Sequence, residues 1–137
     1  MQNVFDAKDA QEYINRINNL TPETQRKWGK MSVDQVLAHL NVAYDLTFTP
    51  EKFPKPSFIA KFLLSRFVKP KITNEIPYKQ SLPTSPAFII ADERNFEEEK
   101  AKLIGNIQRV QQLGREAFEG KENINFGKMT AQGWNNM

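Results

Sequence analysis

The only histidine of the chain, His39, lies in the phrase "QVLAHL". Imidazole is the commonest metal ligand and the natural acid or base near neutral pH, so any site chemistry would start there. A three-ligand metal centre needs two more side chains converging on the same ion. No second histidine is present, and the spacing selects none of the carboxylates Asp34, Asp45, Glu93 or Glu116. Gln35 lies one helical turn before His39 and is a candidate to line the same cavity, although a capping role already accounts for it. Tyr44 and Trp28 are expected to pack in a core, with the Tyr44 hydroxyl as the part that could enter a site. His39 itself keeps a second reading, as a packed residue whose ring nitrogens are satisfied by backbone or water. The chain has no cysteine, which excludes disulfides, thiolate metal sites and cysteine nucleophiles from the protein itself. No Gly-rich phosphate loop, paired carboxylates at helical spacing or serine-nucleophile motif is present.

The elements that must position these residues read as helices. Ala10, Tyr13, Ile14, Ile17 and Leu20 recur at three-and-four spacing, with Asp6 as the expected cap. Thr21, as a capping hydroxyl, and Pro22, at a first helical position, are expected to open a short helical turn leading to Trp28. Ser32 followed by Gln35 reads as a capping box, and Val36, Leu37, Leu40, Ala43 and Tyr44 give a second amphipathic helix running to about Leu46. His39 sits beside that apolar stripe. Phe58, Ile59, Phe62, Leu63 and Phe67 mark a short third helix, expected to pack its apolar side in a bundle. The prolines at 70, 77, 83 and 86 make a long extended connection, with "PAFII" as its one strand-like piece. Asp92 is expected to cap the longest helix, lined by Phe96, Leu103, Ile107 and Val110 and closed by Gly114.

One phrase occurs twice, "WGKMSVDQ" from Trp28 and "FGKMTAQG" from Phe126. Each joins an aromatic anchor, a glycine turn and a hydroxyl cap, so two helices are expected to be entered through the same device. The second of them contains Trp134. No stretch alternates as a half-buried strand does, so the fold class reads as all-α, a helical bundle in one domain.

With 137 residues, 39% hydrophobic and 26% charged, the chain has room for one core. The net charge of +3 is too slight to suggest a nucleic-acid binder without a concentrated basic stripe, so no nucleic-acid partner is expected. Its distribution is uneven: seven bases lie between Lys52 and Lys79, opposed only by Glu75. That block reads as a solvated face, with attachment to an anionic membrane surface as the sharper alternative. Neither a secretory leader nor a run of membrane-spanning length is present, so no stable membrane insertion and a cytoplasmic location are expected.

The phrases "KWGKMSVDQVLAHL", "LPTSPAFIIADERNFEEEKAKL" and "NFGKMTAQGWNNM" together resemble an uncharacterised bacterial branch of the DinB-like superfamily, and they run through nearly the whole chain in order. The resemblance implies a four-helix bundle with a long Pro-rich connection and a last helix cut short from about residue 131. It also implies a metal-binding histidine at His39, in the "QxxxHL" context of the second helix. The family's two further ligands, in a histidine-rich continuation of the last helix, have no counterpart here, which leaves a fragment or a member that has lost the site. In this family a divalent metal, zinc or nickel, would serve a transferase or hydrolase acting on a small molecule, with a low-molecular-weight thiol. A homodimer is the usual state. The alternative is a non-catalytic helical binding or dimerisation module without the metal site.

Overall fold

The computed structural model describes residues 2–137, and most of them are helical. Helix α1 spans Ala7–Asn18, opened by Asp6, whose side chain accepts from the Lys8 and Asp9 N–H groups. Its apolar spacing buries Ala10 and Ile14, with Tyr13, Ile17 and Leu20 packed beside them. Helix α2, Val33–Phe48, begins at Ser32 in a capping box in which Gln35 Oε1 accepts from the Ser32 N–H at 3.0 Å. The Ser32 hydroxyl also donates to Asp34.

The long connection holds three short helical pieces in succession. Helix α3 covers Phe58–Leu63, a π-helical turn follows over Leu64–Val68, and helix α4 covers Lys69–Ile72. Ser57 caps this run, its hydroxyl accepting from the Ala60 N–H. The "PAFII" piece is not extended throughout: Pro86–Phe88 forms a 3-10 turn, as a proline at its first position favours.

Helix α5, Phe96–Phe118, is the spine. Both α1 and α2 pack along it, and its buried Leu103, Ile107 and Val110 lie on the side the spacing indicates. The cap is Asn95, which accepts from the Glu98 N–H at 3.0 Å, rather than Asp92. Asp92 lies three residues too early for its carboxylate to reach the first turn, and pairs with Arg94 at 3.0 Å instead. Gly114 interrupts the helix at φ 76° and ψ 168° without ending it, since a last turn resumes through Phe118.

Two short strands follow, against the expectation of none. β1 (Glu122–Asn123) and β2 (Gly127–Lys128) pair antiparallel, with Glu122 opposite Lys128. Asn123 makes the hairpin possible. Its buried side-chain oxygen accepts from the N–H groups of Asn125 and Phe126, an Asx turn that reverses the chain. Helix α6, Ala131–Asn136, is capped by Thr130, whose hydroxyl accepts from the Gly133 N–H at 3.0 Å. A second core gathers there from Val110, Phe118, Met129, Ala131 and Trp134. Asn135 fastens the N-terminal segment to α6, accepting from the Val4 N–H at 2.7 Å and donating to the Gln2 carbonyl at 3.1 Å.

The repeated phrase is thus half a structural repeat. Gly29 and Gly127 share a positive φ, 77° and 69°, and Ser32 and Thr130 share the cap role. The aromatic residues diverge. Phe126 packs against the second core, whereas Trp28 is 57% exposed and anchors nothing, contrary to the expectation that it joins the core. In the second copy the glycine belongs to a paired strand; in the first it lies in an unpaired bend, so nothing draws the preceding aromatic inward.

Candidate functional site

His39 is half-buried on α2, and its ring meets the connection before α5. Its Nδ1 lies 2.8 Å from the Phe88 carbonyl, and the two rings meet edge to face at 5.5 Å. A carbonyl can only accept, so Nδ1 carries a proton, and in the neutral ring the lone pair is then on Nε2. This contact clips the 3-10 turn to α2. Gln35, one turn earlier, repeats it: Nε2 donates to the Asp92 carbonyl at 3.1 Å while Oε1 completes the helix cap. Asp34 makes a third clip, accepting from the Arg94 N–H at 2.8 Å. The Ser32 hydroxyl first, and this N–H second, hold its carboxyl below the usual aspartate range.

Tyr44 does not share this face. It packs against both core clusters, and burial raises its phenol to about 12, so at neutral pH it remains a neutral O–H. The structure therefore brings His39 and Gln35 together along one edge of α2 and puts Tyr44 in the interior between helices.

A resident metal needs several donors at one point. Among the described residues, no three of His, Asp and Glu gather around a common centre. With Nδ1 occupied, His39 offers Nε2 as a single donor, and the residues present do not fit a divalent metal site. A shallow open cleft of about 310 Å³ lies between the starts of α2 and α5, lined by Pro22, Ser32, Asp34 and Arg94 among others, and it does not include His39. An enclosed small-molecule site is characteristically a deeper concave pocket with convergent polar groups.

Two features escape sequence reasoning. The first is Asn41, 1% exposed on the buried side of α2. Its amide nitrogen donates to the Glu99 carbonyl at 3.0 Å and the Glu99 carboxylate at 2.8 Å, while its oxygen accepts from Asn106 at 3.1 Å. One turn after Leu37, it occupies a position on the core side of the helix, and that spacing is the only signal the sequence carried.

The second is the orientation of α3. Phe58, Ile59, Phe62, Leu63 and Phe67 are exposed, Phe58 to 88%, Ile59 to 70% and Phe62 to 60%. The half-buried side holds Lys61, Leu64, Ser65 and Lys69. Lys61 forms an ion pair with Glu122 of β1 at 2.8 Å, and the Lys69 ammonium donates to the Lys128 carbonyl of β2. The helix rests on the hairpin by its polar side and turns its apolar side outward, the reverse of the expected bundle packing. Val36 and Leu40 on α2 and Ile89 in the connection are exposed as well.

Comparison with protein-family models, with curated proteins and with solved structures finds no match.

Proposed function

We propose that this chain is a non-catalytic helical binding module whose working surface is the outward apolar face of α3 and the turn after it. The observation that carries the reading is the inverted orientation of that helix, with rings outward and lysines tied to the hairpin. Soluble monomers rarely leave a contiguous apolar patch of this kind without a partner. His39, Gln35 and Asp34 serve this reading as clips that hold the connection against α2. The test is titration with an environment-sensitive apolar dye. The wild type should bind it in the native state, and Phe62→Ser with Phe67→Ser should abolish most of the signal while leaving the helical circular dichroism unchanged. Dye binding undiminished in that double variant contradicts the reading.

A second reading, a DinB-like four-helix bundle and divalent-metal-dependent transferase or hydrolase acting on a small molecule, rests on the tautomer of His39. A ligating histidine characteristically donates its other ring N–H to a carbonyl or carboxylate, which is what Nδ1 does with Phe88. Zinc or nickel, if held, would take Nε2 as one ligand and the rest from groups other than those described. Native mass spectrometry with each metal tests this: one ion per chain, lost in His39→Ala, supports it, and metal retained by that variant removes His39 from the site.

A further inference from the structure

We infer that the outward face of α3 docks on an anionic phospholipid surface, a partner identity that rests on the binding-module reading. The helical run Phe58–Ile72 presents exposed Phe58, Ile59, Phe62, Leu63 and Phe67 to solvent, and Arg66 and Lys71 are exposed within the same run. Exposed Lys52 and Lys55 precede it and exposed Lys79 follows, against the acids Glu51 and Glu75. Lys61 and Lys69 are spent inward on Glu122 and the Lys128 carbonyl, whereas Arg66 lies 5.6 Å from the centre of the Phe67 ring and the exposed Lys52, Lys55, Lys71 and Lys79 flank or follow the apolar residues along the chain. Aromatic and aliphatic side chains ringed by Lys and Arg are the composition of an interfacial helix, rings at the boundary of headgroup and acyl chain and cations at the phosphates.

Charge decides between lipid and a second copy. A two-fold contact through this face would gather the Arg66 and Lys71 cations of both chains at one interface, with no carboxylate on the run itself to neutralise them. An anionic bilayer supplies the opposite sign and demands no matching shape. Among the described residues no helix is long and apolar enough to cross a membrane, so the proposed contact is peripheral.

The experiment is co-sedimentation at low salt with phosphatidylcholine vesicles, with and without phosphatidylserine. The wild type should sediment with the mixed vesicles and not with phosphatidylcholine alone, and salt should release it. Arg66→Gln with Lys71→Gln should weaken binding about 25-fold, from roughly fivefold per cation lost. Phe62→Ser with Phe67→Ser should abolish it, and Lys8→Gln, on α1, should leave it unchanged. No sedimentation with the mixed vesicles overturns the proposal. Equal weakening by Lys8→Gln overturns it too, because it means diffuse charge without a face. So does a dimer in sedimentation velocity that the phenylalanine double variant dissociates. If the dye still reports the face while vesicles fail to bind, the module reading stands and the lipid assignment falls.

Discussion

Replacing Asn41 with alanine should be among the most destabilising single changes on α2. The side chain is fully enclosed and joins α2 to α5 through three hydrogen bonds. The bond to the Glu99 carboxylate is charge-assisted, worth about 1.5–3 kcal/mol, and the bond from Asn106 about 1 kcal/mol. The Glu99 carbonyl belongs to the interior of α5, so losing the amide there adds little. Glu99 is only half-buried and can rehydrate, which puts the charged term at its lower end. The amide leaves a small void in a dry place, which raises the total again. About 3 kcal/mol is the expected loss, a large share of the ~5–15 kcal/mol available to a domain. Urea unfolding followed by circular dichroism measures it, with the midpoint falling and the slope unchanged. In a double-mutant cycle, Asn106→Ala should couple to it by at least about 0.5 kcal/mol. A loss below about 1 kcal/mol would refute the reasoning, because it would mean that the enclosed amide is as well solvated without its partners as with them.

Trp28→Ala should change stability by no more than about 0.5 kcal/mol, as for other exposed positions, whereas Trp134→Ala in the second core should cost about 3–5 kcal/mol in the same urea assay. The Glu122 carboxyl is held below the usual glutamate range by its hydrogen bond from Lys61, and then by that residue's charge. A lowered folded-state value means a contribution present above the unfolded glutamate value and lost as pH falls through the folded one. Proton titration by NMR should therefore place Glu122 below free glutamate, with α3 loosening from the hairpin only at that lower pH. Lys61→Met should return Glu122 to the ordinary range, and an unshifted wild-type titration would contradict the tether.

Much of the framework was legible because it is local. The caps Asp6, Ser32 and Thr130 are read from a short polar side chain followed by helical spacing, and each opens its helix as read. The buried stripe of α5 follows from Leu103, Ile107 and Val110 alone. Asp92 reads as the cap because it is a short acidic side chain ahead of the helical spacing, whereas Asn95, three residues later, is the one placed to reach Glu98. The hairpin was hidden because strands of two residues are too short to alternate; Asn123 was its one signal. Periodicity gave α3 an apolar side, yet it does not say what that side faces. The partners that decide, Glu122 and Lys128, lie some sixty residues away. At the candidate site, the nearness of Gln35 to His39 followed from helical spacing, while the Phe88 carbonyl that fixes the ring could not, because a backbone acceptor carries no sequence signature.

The central claim is that the rings of α3 are a surface and not part of the core. Urea denaturation of Phe62→Ser beside Leu103→Ala tests it most directly, since serine and phenylalanine differ little in helix propensity. Leu103 is 2% exposed and its truncation should cost about 2–5 kcal/mol, whereas Phe62→Ser should stay within about 0.5 kcal/mol of wild type. A loss of about 2 kcal/mol or more for Phe62→Ser would show that this ring is buried in the folded protein, and would contradict the account.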